Sequence, residues 1–408
     1  MKIMRLRLTA LMLIAGSALT AALPGAVQAQ HRDSAAAEEG YRRSIDRLQA
    51  SHGRTTPELI GPLSALAALL AEQGRHEAAI PYFLWAIGVS RRAYGLFNLG
   101  QLGFLDRLAL SYEAIGDEAA VEQTLQYAVQ TAEQSHGAND PRVSPALLRL
   151  GTWYESVGKF VAARTAYTRL AAINPREQGA NAMTIEALLG IGRTHRLQFT
   201  LMPESLAQEF STVSQVTQRH TARPFWLLDE EAAEIARQGQ RALEDAEGLL
   251  DTAAGVTTPL RVRTLLELGD WFTVLRQPRT ALQHYTRAVA VHDLGTPARD
   301  APHPLAAPRL VAYRPPPGAA RYSALPKAER IARQVRFTLT VTAKGEPRNI
   351  ALKSTDMTRR QAMRVREALG RALYSPRFEN GRPVRTGGVE FTDYWFVPIG
   401  AEADDAQR

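Results

Sequence analysis

Apolar and polar positions in the first half of the chain follow a helical spacing that recurs every 42 residues. The first apolar helix face is carried by Leu63, Leu66, Ala67 and Leu70. Two sets of glycines share the period, offset from one another by 21 residues: Gly53, Gly95 and Gly137, and Gly74, Gly116 and Gly158. Because glycine ends a helix in the left-handed conformation without steric cost, the pattern predicts an array of antiparallel helical hairpins, a mainly α fold.

The clearest unit of this pattern contains Leu150, Gly151, Tyr154, Gly158, Phe160, Ala163 and Tyr167, and closes with Asn174-Pro175. The unit resembles a tetratricopeptide repeat. The 42-residue period, with Gly137 and Asp140-Pro141 leading into the unit, resembles the longer repeats of kinesin light chains. A stacked array of this kind presents a surface and seldom carries chemistry, so a protein-binding scaffold is expected over residues 30–295.

Later repeats are less regular. Residues 187–192 predict the first helix of a fourth unit, whose second helix is expected at about 228–250, after an irregular insertion near 197–227. A further unit contains Leu268, Gly269, Phe272, Ala281, Tyr285 and Ala288, with Arg276 where the turn glycine is expected. Residues 301–317 contain six prolines, which disfavour helix and sheet, and an extended linker is therefore predicted at 296–320.

After the linker, apolar and polar residues alternate strictly along the chain. Residues 335–341 read Val-Arg-Phe-Thr-Leu-Thr-Val, which predicts a half-buried strand. A second strand is expected at 349–354, a helix capped by Thr358 and running to about Leu373, a short strand near Val384, and a last strand through 389–397. The residues expected on the buried side of the helix are Met363, Val365, Leu369 and Ala372. The pattern predicts a small α+β domain at 321–400, followed by a tail at 401–408.

The order of these elements, and the glycine and proline residues at the turns between them, resemble the C-terminal domain of the energy transducer TonB. The matching residues are Val335-x-Phe337-x-Leu339-x-Val341, Lys344-Gly345, Leu352-x-Ser354-Thr355, Ala368-Leu369, Tyr374-x-Pro376, Asn380-Gly381-Arg382-Pro383-Val384 and Val389-x-Phe391. The resemblance implies one helix packed on a three-stranded antiparallel sheet whose edge accepts an extended peptide. We expect the last strand to be that edge, with Phe391 and Tyr394 as partner contacts. The alternative is that the linker or the residues from Pro398 onward cover it.

The N-terminal 29 residues read as a secretory signal. Lys2, Arg5 and Arg7 precede an apolar stretch of about 16 residues, and small residues lead to a predicted cleavage site after Ala29. The stretch is shorter than the ~20 residues that span a bilayer. The expected location is therefore the periplasm, and the alternative is a retained N-terminal anchor.

Charge separates the predicted regions. Residues 321–397 contain 16 Lys and Arg against 7 Asp and Glu, whereas the rest of the chain after residue 29 is weakly acidic. Five arginines fall on or beside the C-terminal helix: Arg359, Arg360, Arg364, Arg366 and Arg371. These arginines either form a solvated helix face or attract an acidic partner or an anionic envelope surface. Nucleic acid is not expected, because no aromatic residues interleave with the arginines and the chain is exported.

Candidate chemistry is sparse. The chain has no cysteine, and its nine histidines show no metal-ligand spacing, so no disulfide, metal, cofactor or catalytic residue is predicted. Trp153 and Trp271 are expected in the core beside repeat positions. Trp85 lies off the apolar face of its helix and is a candidate anchor for a partner.

The function predicted from these patterns is a non-enzymatic periplasmic adaptor that engages envelope proteins or extended peptides through the array and the C-terminal domain. The alternative is a TonB-type energy transducer for outer-membrane transport, which requires the retained anchor. A third class, an enzyme with an unrecognised site, has no motif in its favour.

Overall fold

The computed structural model describes residues 24–174, 179–201, 230–295, 303–322, 325 and 329–399. The chain divides into two units within one helix, between Trp153 and Tyr154. We call them the N-terminal unit and the C-terminal unit. The predicted signal segment up to residue 23, most of the predicted insertion and the tail lie outside the described residues. None of the described helices is both long and apolar enough to span a lipid bilayer.

Helices form most of the described structure, which confirms the predicted mainly α fold class. In chain order they are α1 (Pro24–His52), α2 (Ile60–Glu72), α3 (His76–Tyr94), α4 (Leu102–Ile115), α5 (Glu118–His136), α6 (Ser144–Ser156), α7 (Phe160–Ile173), α8 (Ala182–Leu201), α9 (Glu230–Gly248), α10 (Thr258–Val274), α11 (Pro278–Leu294) and α12 (Arg359–Gly370). Short 3-10 turns precede α2, α4 and α6, one in each repeat. The second helix of the fourth unit, α9, lies where the sequence predicts it.

The two glycine sets mark helix ends, as predicted. All six have positive φ, between 74° and 98°, a region that L-residues with a side chain seldom adopt. Arg276, which stands where a turn glycine is expected, also has a positive φ of 58°. The fold therefore imposes the left-handed turn at this repeat position even on a residue with a side chain.

The N-terminal unit is held together by an apolar core along its helices. The predicted face of α2, Leu63, Leu66, Ala67 and Leu70, is fully buried. It packs with Ala79, Phe83 and Ala86 of α3 and with Leu105 and Leu108 of α4. Apolar burial on facing helices is what stabilises such hairpins, because each helix alone is marginal in water.

In the C-terminal unit, aromatic rings pack on glycines where two helices approach closely. A Cβ added to Gly190 of α8 would lie 2.5 Å from the ring of Tyr167, and one added to Gly269 would overlap the ring of Tyr285. The Gly190-Ile191-Gly192 segment therefore serves helix packing. Trp153 and Trp271 are buried, as predicted.

The C-terminal domain contains β1 (Arg309–Ala312), β2 (Arg330–Val341), β3 (Pro347–Thr355), β4 (Leu373–Ser375), β5 (Arg377–Glu379), β6 (Arg382–Val384) and β7 (Thr386–Pro398). The main sheet is antiparallel in the order β3-β2-β7, so both β3 and β7 are edge strands. Helix α12 buries Val365 and Leu369 in a core shared with Val335, Phe337 and Leu339 of β2. Met363, predicted to lie on this buried side, is instead 61% exposed, so that prediction was wrong.

The proline-rich stretch also differs from the prediction. Arg309–Ala312 forms strand β1, which pairs antiparallel with β4, although this stretch was expected to contain no sheet. Prolines flank the strand at 308 and 315 but do not interrupt it, so its main-chain donors remain free to pair. Leu305 and Val311 enter the same core as α8 and α10. This part of the predicted linker is therefore packed against the last helices.

Candidate protein-interaction surfaces

Helix α12 begins with a capping box. The Thr358 hydroxyl accepts a hydrogen bond from the Gln361 amide at 3.3 Å, and the Gln361 side chain accepts one from the Thr358 amide at 3.0 Å. This cap fixes the start of the helix and so sets which residues face outward. The exposed side carries Arg359, Arg360, Met363, Arg364 and Arg366.

Four of these residues are arginines without an acidic partner. Within the described part of the chain, Arg359, Arg360, Arg364 and Arg366 form no ion pair. Arg364 instead lies over the Trp395 ring, 5.6 Å from its centroid. Of the five arginines predicted on or beside this helix, the structure places Arg359, Arg360, Arg364 and Arg366 together on one exposed face, whereas Arg371 pairs with Glu367.

A groove separates this helix face from the start of β3. It encloses about 1030 Å³ and is lined by Pro347, Arg348, Asn349, Ile350, Arg359, Arg360, Met363, Arg364, Arg366, Glu367 and Gly370. We call it the arginine groove. Its single carboxylate, Glu367, is bonded to Arg371 at 2.8 Å. The sequence does not indicate that β3 contributes to the groove. Arg348 and Ile350 come close to α12 only because β3 pairs with β2 in the sheet.

The two candidate residues of the last strand differ in how accessible they are to a partner. Phe391 is 9% exposed and contacts Tyr313 edge-to-face, with ring centroids 4.8 Å apart. Phe391 also belongs to the buried core of this domain, so its side chain is not accessible to a partner in this structure. Tyr394 is 37% exposed and remains accessible.

The outer edge of β7 is occupied at two positions. The Phe396 amide donates to the carbonyl oxygen of Ala319 at 3.0 Å, and the Tyr394 amide donates to the Asp393 carboxylate at 2.8 Å. Tyr313 also donates a hydrogen bond to that carboxylate. Burial raises the pKa of Asp393 above its usual value. The segment before β2 therefore covers part of the edge that we expected to be free, which is the alternative stated from the sequence.

Trp85 lies in a cleft of the N-terminal unit. Its indole nitrogen donates to the carbonyl oxygen of Arg54 at 2.9 Å, and the Arg54 guanidinium stacks 5.0 Å from the ring centroid. The cleft encloses about 570 Å³ and is lined by Arg54, Thr55, Trp85, Gly88, Val89, Arg91, Arg92 and Leu96. The ring is therefore held in place and only partly buried, an arrangement suited to an interface anchor.

A cavity of about 630 Å³ lies within the C-terminal unit, between α8, α10, α12 and the segment 312–317. Its walls are mainly apolar. The polar groups at its rim already bond within the protein, since Arg314 donates to the Thr200 carbonyl at 2.6 Å and Arg371 pairs with Glu367. The cavity offers volume for a small ligand, and it shares Arg364, which forms no ion pair within the described residues, with the arginine groove.

Among the described residues, His292, Asp293 and His303 are close enough to hold a metal ion together. No metal-ligand spacing in the sequence indicates this cluster, because His303 lies ten residues after Asp293, beyond the last helix of the array. The Leu305 amide donates to Nδ1 of His303 at 3.1 Å, which places the proton of the neutral ring on Nε2, the atom facing Asp293. A metal at Nε2 would have to displace that proton, so the donor set does not fit a metal site.

Six charged side chains form a buried ionic cluster in the C-terminal unit. They are Glu155, Arg193, Arg196, Glu267, Asp270 and Arg309. Burial raises the pKa of Asp270 even beside Arg309 and Arg196. Burial also opposes ionisation of Glu267, yet the neighbouring arginines hold its pKa below the usual value. Equal numbers of positive and negative groups, paired with one another, indicate a structural role.

The sequence matches no protein-family model and no curated protein. Solved structures with a similar arrangement include BtubC (BKLC) from P. vanneervenii, at 15% identity and TM-score 0.43, covering 67% of this chain and 96% of that one. A putative kinesin light chain of nearly identical TPR-like repeats from Podosopora anserina is similar at 13% identity and TM-score 0.41, covering 60% and 99% of the two chains. These values are too low to assign a family or a function.

Proposed function

We propose that the protein is a non-enzymatic scaffold that binds other proteins in the periplasm. The helical array and the C-terminal domain, which resembles that of TonB, would each contact an envelope protein. Stacked helical hairpins offer a long surface whose residues are free to contact partners once the core positions are filled.

The proposal rests on the way Trp85 is held in its cleft by two contacts within the protein. A tryptophan held by both a hydrogen bond and an arginine stack loses little conformational freedom on binding, and aromatic and arginine side chains dominate interface energetics. Val89 and Leu96 line the same cleft, and Leu96 is 54% exposed. Apolar side chains beside a fixed aromatic anchor favour a protein partner over a small polar ligand.

Purification of the protein from envelope extracts, with chemical cross-linking, tests the scaffold function. We expect one or a few envelope proteins to be recovered with the wild type and lost with Trp85→Ala. Arg47→Glu, at an exposed position of α1, is the control and should recover the same proteins. Recovery of no envelope protein by the wild type, or equal recovery by Trp85→Ala, would contradict the proposal.

Determining the N-terminal residue of the purified protein distinguishes the periplasmic scaffold from the energy transducer. A chain that starts at Gln30 supports a soluble periplasmic adaptor. A chain that retains Met1 and sediments with the membrane supports the anchored transducer for outer-membrane transport instead.

A further inference from the structure

We propose that the arginine groove and the free edge of β3 together bind an acidic, extended segment of a protein partner. The inference rests on the scaffold function proposed above and names the partner chemistry recognised by the C-terminal domain. It assigns the open edge to β3 rather than to the last strand.

Arg359, Arg360 and Arg366 of the groove form no ion pair within the described chain, whereas Arg364 lies over the Trp395 ring and Arg348 pairs with Glu346. Arg359 and Arg360 occupy the first turn of α12, where the partial positive charge of a helix N-terminus favours acidic residues, and that turn contains none. Neither these two arginines nor Arg364 and Arg366 gain an ion pair within the described chain. Unneutralised positive charge gathered at one groove favours an acidic ligand.

The shape of the groove favours a protein segment over a membrane or a nucleic acid. Ile350 is partly buried at its wall and Met363 stands 61% exposed beside it, so apolar surface lies between the arginines. A flat lipid surface would contact the protruding guanidinium groups but not the recessed Ile350. No aromatic side chain lines the groove to stack on bases.

Strand β3 supplies main-chain partners along the same groove. It pairs with β2 on one side, and no other described strand pairs with its outer side. In the described chain, none of the main-chain hydrogen bonds outside helices and strands involves residues 347–355. This contrasts with β7, where Ala319 and Asp393 engage two outer amides. An extended segment would satisfy the free N–H and C=O groups of β3 as an added strand.

The side chains on the sheet face that α12 covers indicate which residues a bound segment should carry. Leu352 is the register partner of the core residue Phe337, so both lie on the sheet face that α12 covers, yet Leu352 is 53% exposed. Successive residues of an added strand would alternate between the two faces. Acidic residues at every second position would then meet the arginines of α12 and place their methylene groups over Ile350 and Leu352, while the intervening apolar residues lie on the opposite face of the sheet.

Fluorescence anisotropy with a labelled peptide of alternating Glu and Val, on the full chain, tests the inference. A peptide of alternating Lys and Val is the charge control, and we expect it to bind at least about tenfold more weakly. Two further peptides carry N-methyl groups on either the Glu or the Val amides. Because only one set of amides faces β3 in an added strand, one of these peptides should lose binding and the other should retain it.

The variant Arg359→Glu/Arg360→Glu/Arg366→Glu should weaken binding of the Glu-Val peptide by at least about tenfold. The variant Arg47→Glu/Arg107→Glu/Arg279→Glu makes the same charge change at exposed positions of the array and should leave the affinity within about twofold. Equal weakening by both variants would show unspecific attraction and overturn the inference.

Other outcomes identify a different ligand. Binding to vesicles of phosphatidylcholine and phosphatidylglycerol, or to single-stranded DNA, without binding of the Glu-Val peptide would overturn the inference in favour of that anion. Equal binding of both methylated peptides would overturn the strand addition. If the peptide fails to bind but Trp85→Ala still abolishes recovery of envelope proteins, the scaffold function stands and this inference falls.

Discussion

The guanidinium group of Arg196, near the end of α8, donates a hydrogen bond from Nη1 to the main-chain carbonyl oxygen of Val311 in β1 at 3.3 Å. Its Nη2 donates to Glu267 of α10 at 3.0 Å. One buried arginine thus connects two helices of the array to the first strand of the C-terminal domain. Because β1 pairs with β4, the domain is fixed to the last helices by polar contacts as well as by the shared core.

Removal of this arginine should be costly. We expect Arg196→Met to destabilise the C-terminal unit by about 3–5 kcal/mol, because Glu267 and Asp270 stay buried with fewer opposing charges. The control is Arg348→Met, whose exposed ion pair with Glu346 should contribute about 0–1 kcal/mol. Urea unfolding gives both values. A cost for Arg196→Met no larger than the control would show that the cluster does not hold the unit together.

A second prediction concerns pH. Burial, together with nearby Arg164, lowers the pKa of His195 to about 4, while Glu234 opposes the shift. The unfolded chain binds a proton at this histidine near pH ~6.5, so the folded state loses stability as the pH falls from there towards 4. His195→Gln should flatten the fall of stability over this range.

Urea unfolding of the wild type and His195→Gln between pH 7 and pH 4 checks this expectation. His52→Gln, at an exposed position, is the matched control substitution. Burial also lowers the pKa of His284 and His303, so part of the dependence should persist in His195→Gln. An unchanged slope in His195→Gln would contradict the assignment.

Local signals in the sequence predicted the elements well. The glycine sets mark turns that need positive φ, and Thr358 caps α12, because both effects act within a few residues of the chain. Strand β1 was missed because its partner, β4, lies more than sixty residues further along. Periodicity reports the local conformation but not the distant element that completes a sheet.

The surfaces were harder to predict for the same reason. Phe391 lies on an edge strand, and only the structure shows that it packs into the core and against Tyr313. Met363 follows the apolar spacing of α12 but falls outside the strip that the sheet buries. The arginines were found because charge accumulates along one helix. Their groove depends on β3, and no sequence spacing relates the two elements.

The contact between Gly190 and Tyr167 gives a third prediction. We expect Gly190→Ala to destabilise the C-terminal unit by about 1–3 kcal/mol, because the added methyl group overlaps a buried ring. Gly88→Ala, in the middle of α3 with open space around it, should instead stabilise its helix by about 0.8–1.0 kcal/mol. Chemical denaturation of both variants tests the contrast. Stabilisation by both would show that the two helices can separate without cost.

The arginines at the start of α12 give the last prediction. Arg359→Glu and Arg360→Glu should each raise stability by about 0.3–1 kcal/mol, because a negative charge in the first turn interacts favourably with the helix dipole. The capping box of Thr358 and Gln361 uses neither side chain, so it remains intact. Arg366→Glu makes the same change of charge nearer the other end of the helix, and we expect no such gain there.

Thermal unfolding at low and high salt measures the effect, and the gain should shrink as salt screens the charges. If either first-turn substitution lowers stability, these arginines support the fold and their presence needs no ligand to explain it. If stability rises while binding of the acidic peptide is lost, the same residues disfavour the helix and favour the partner. A gain in stability together with a loss of binding would show that these arginines serve binding, because folding alone would favour acidic residues at these positions.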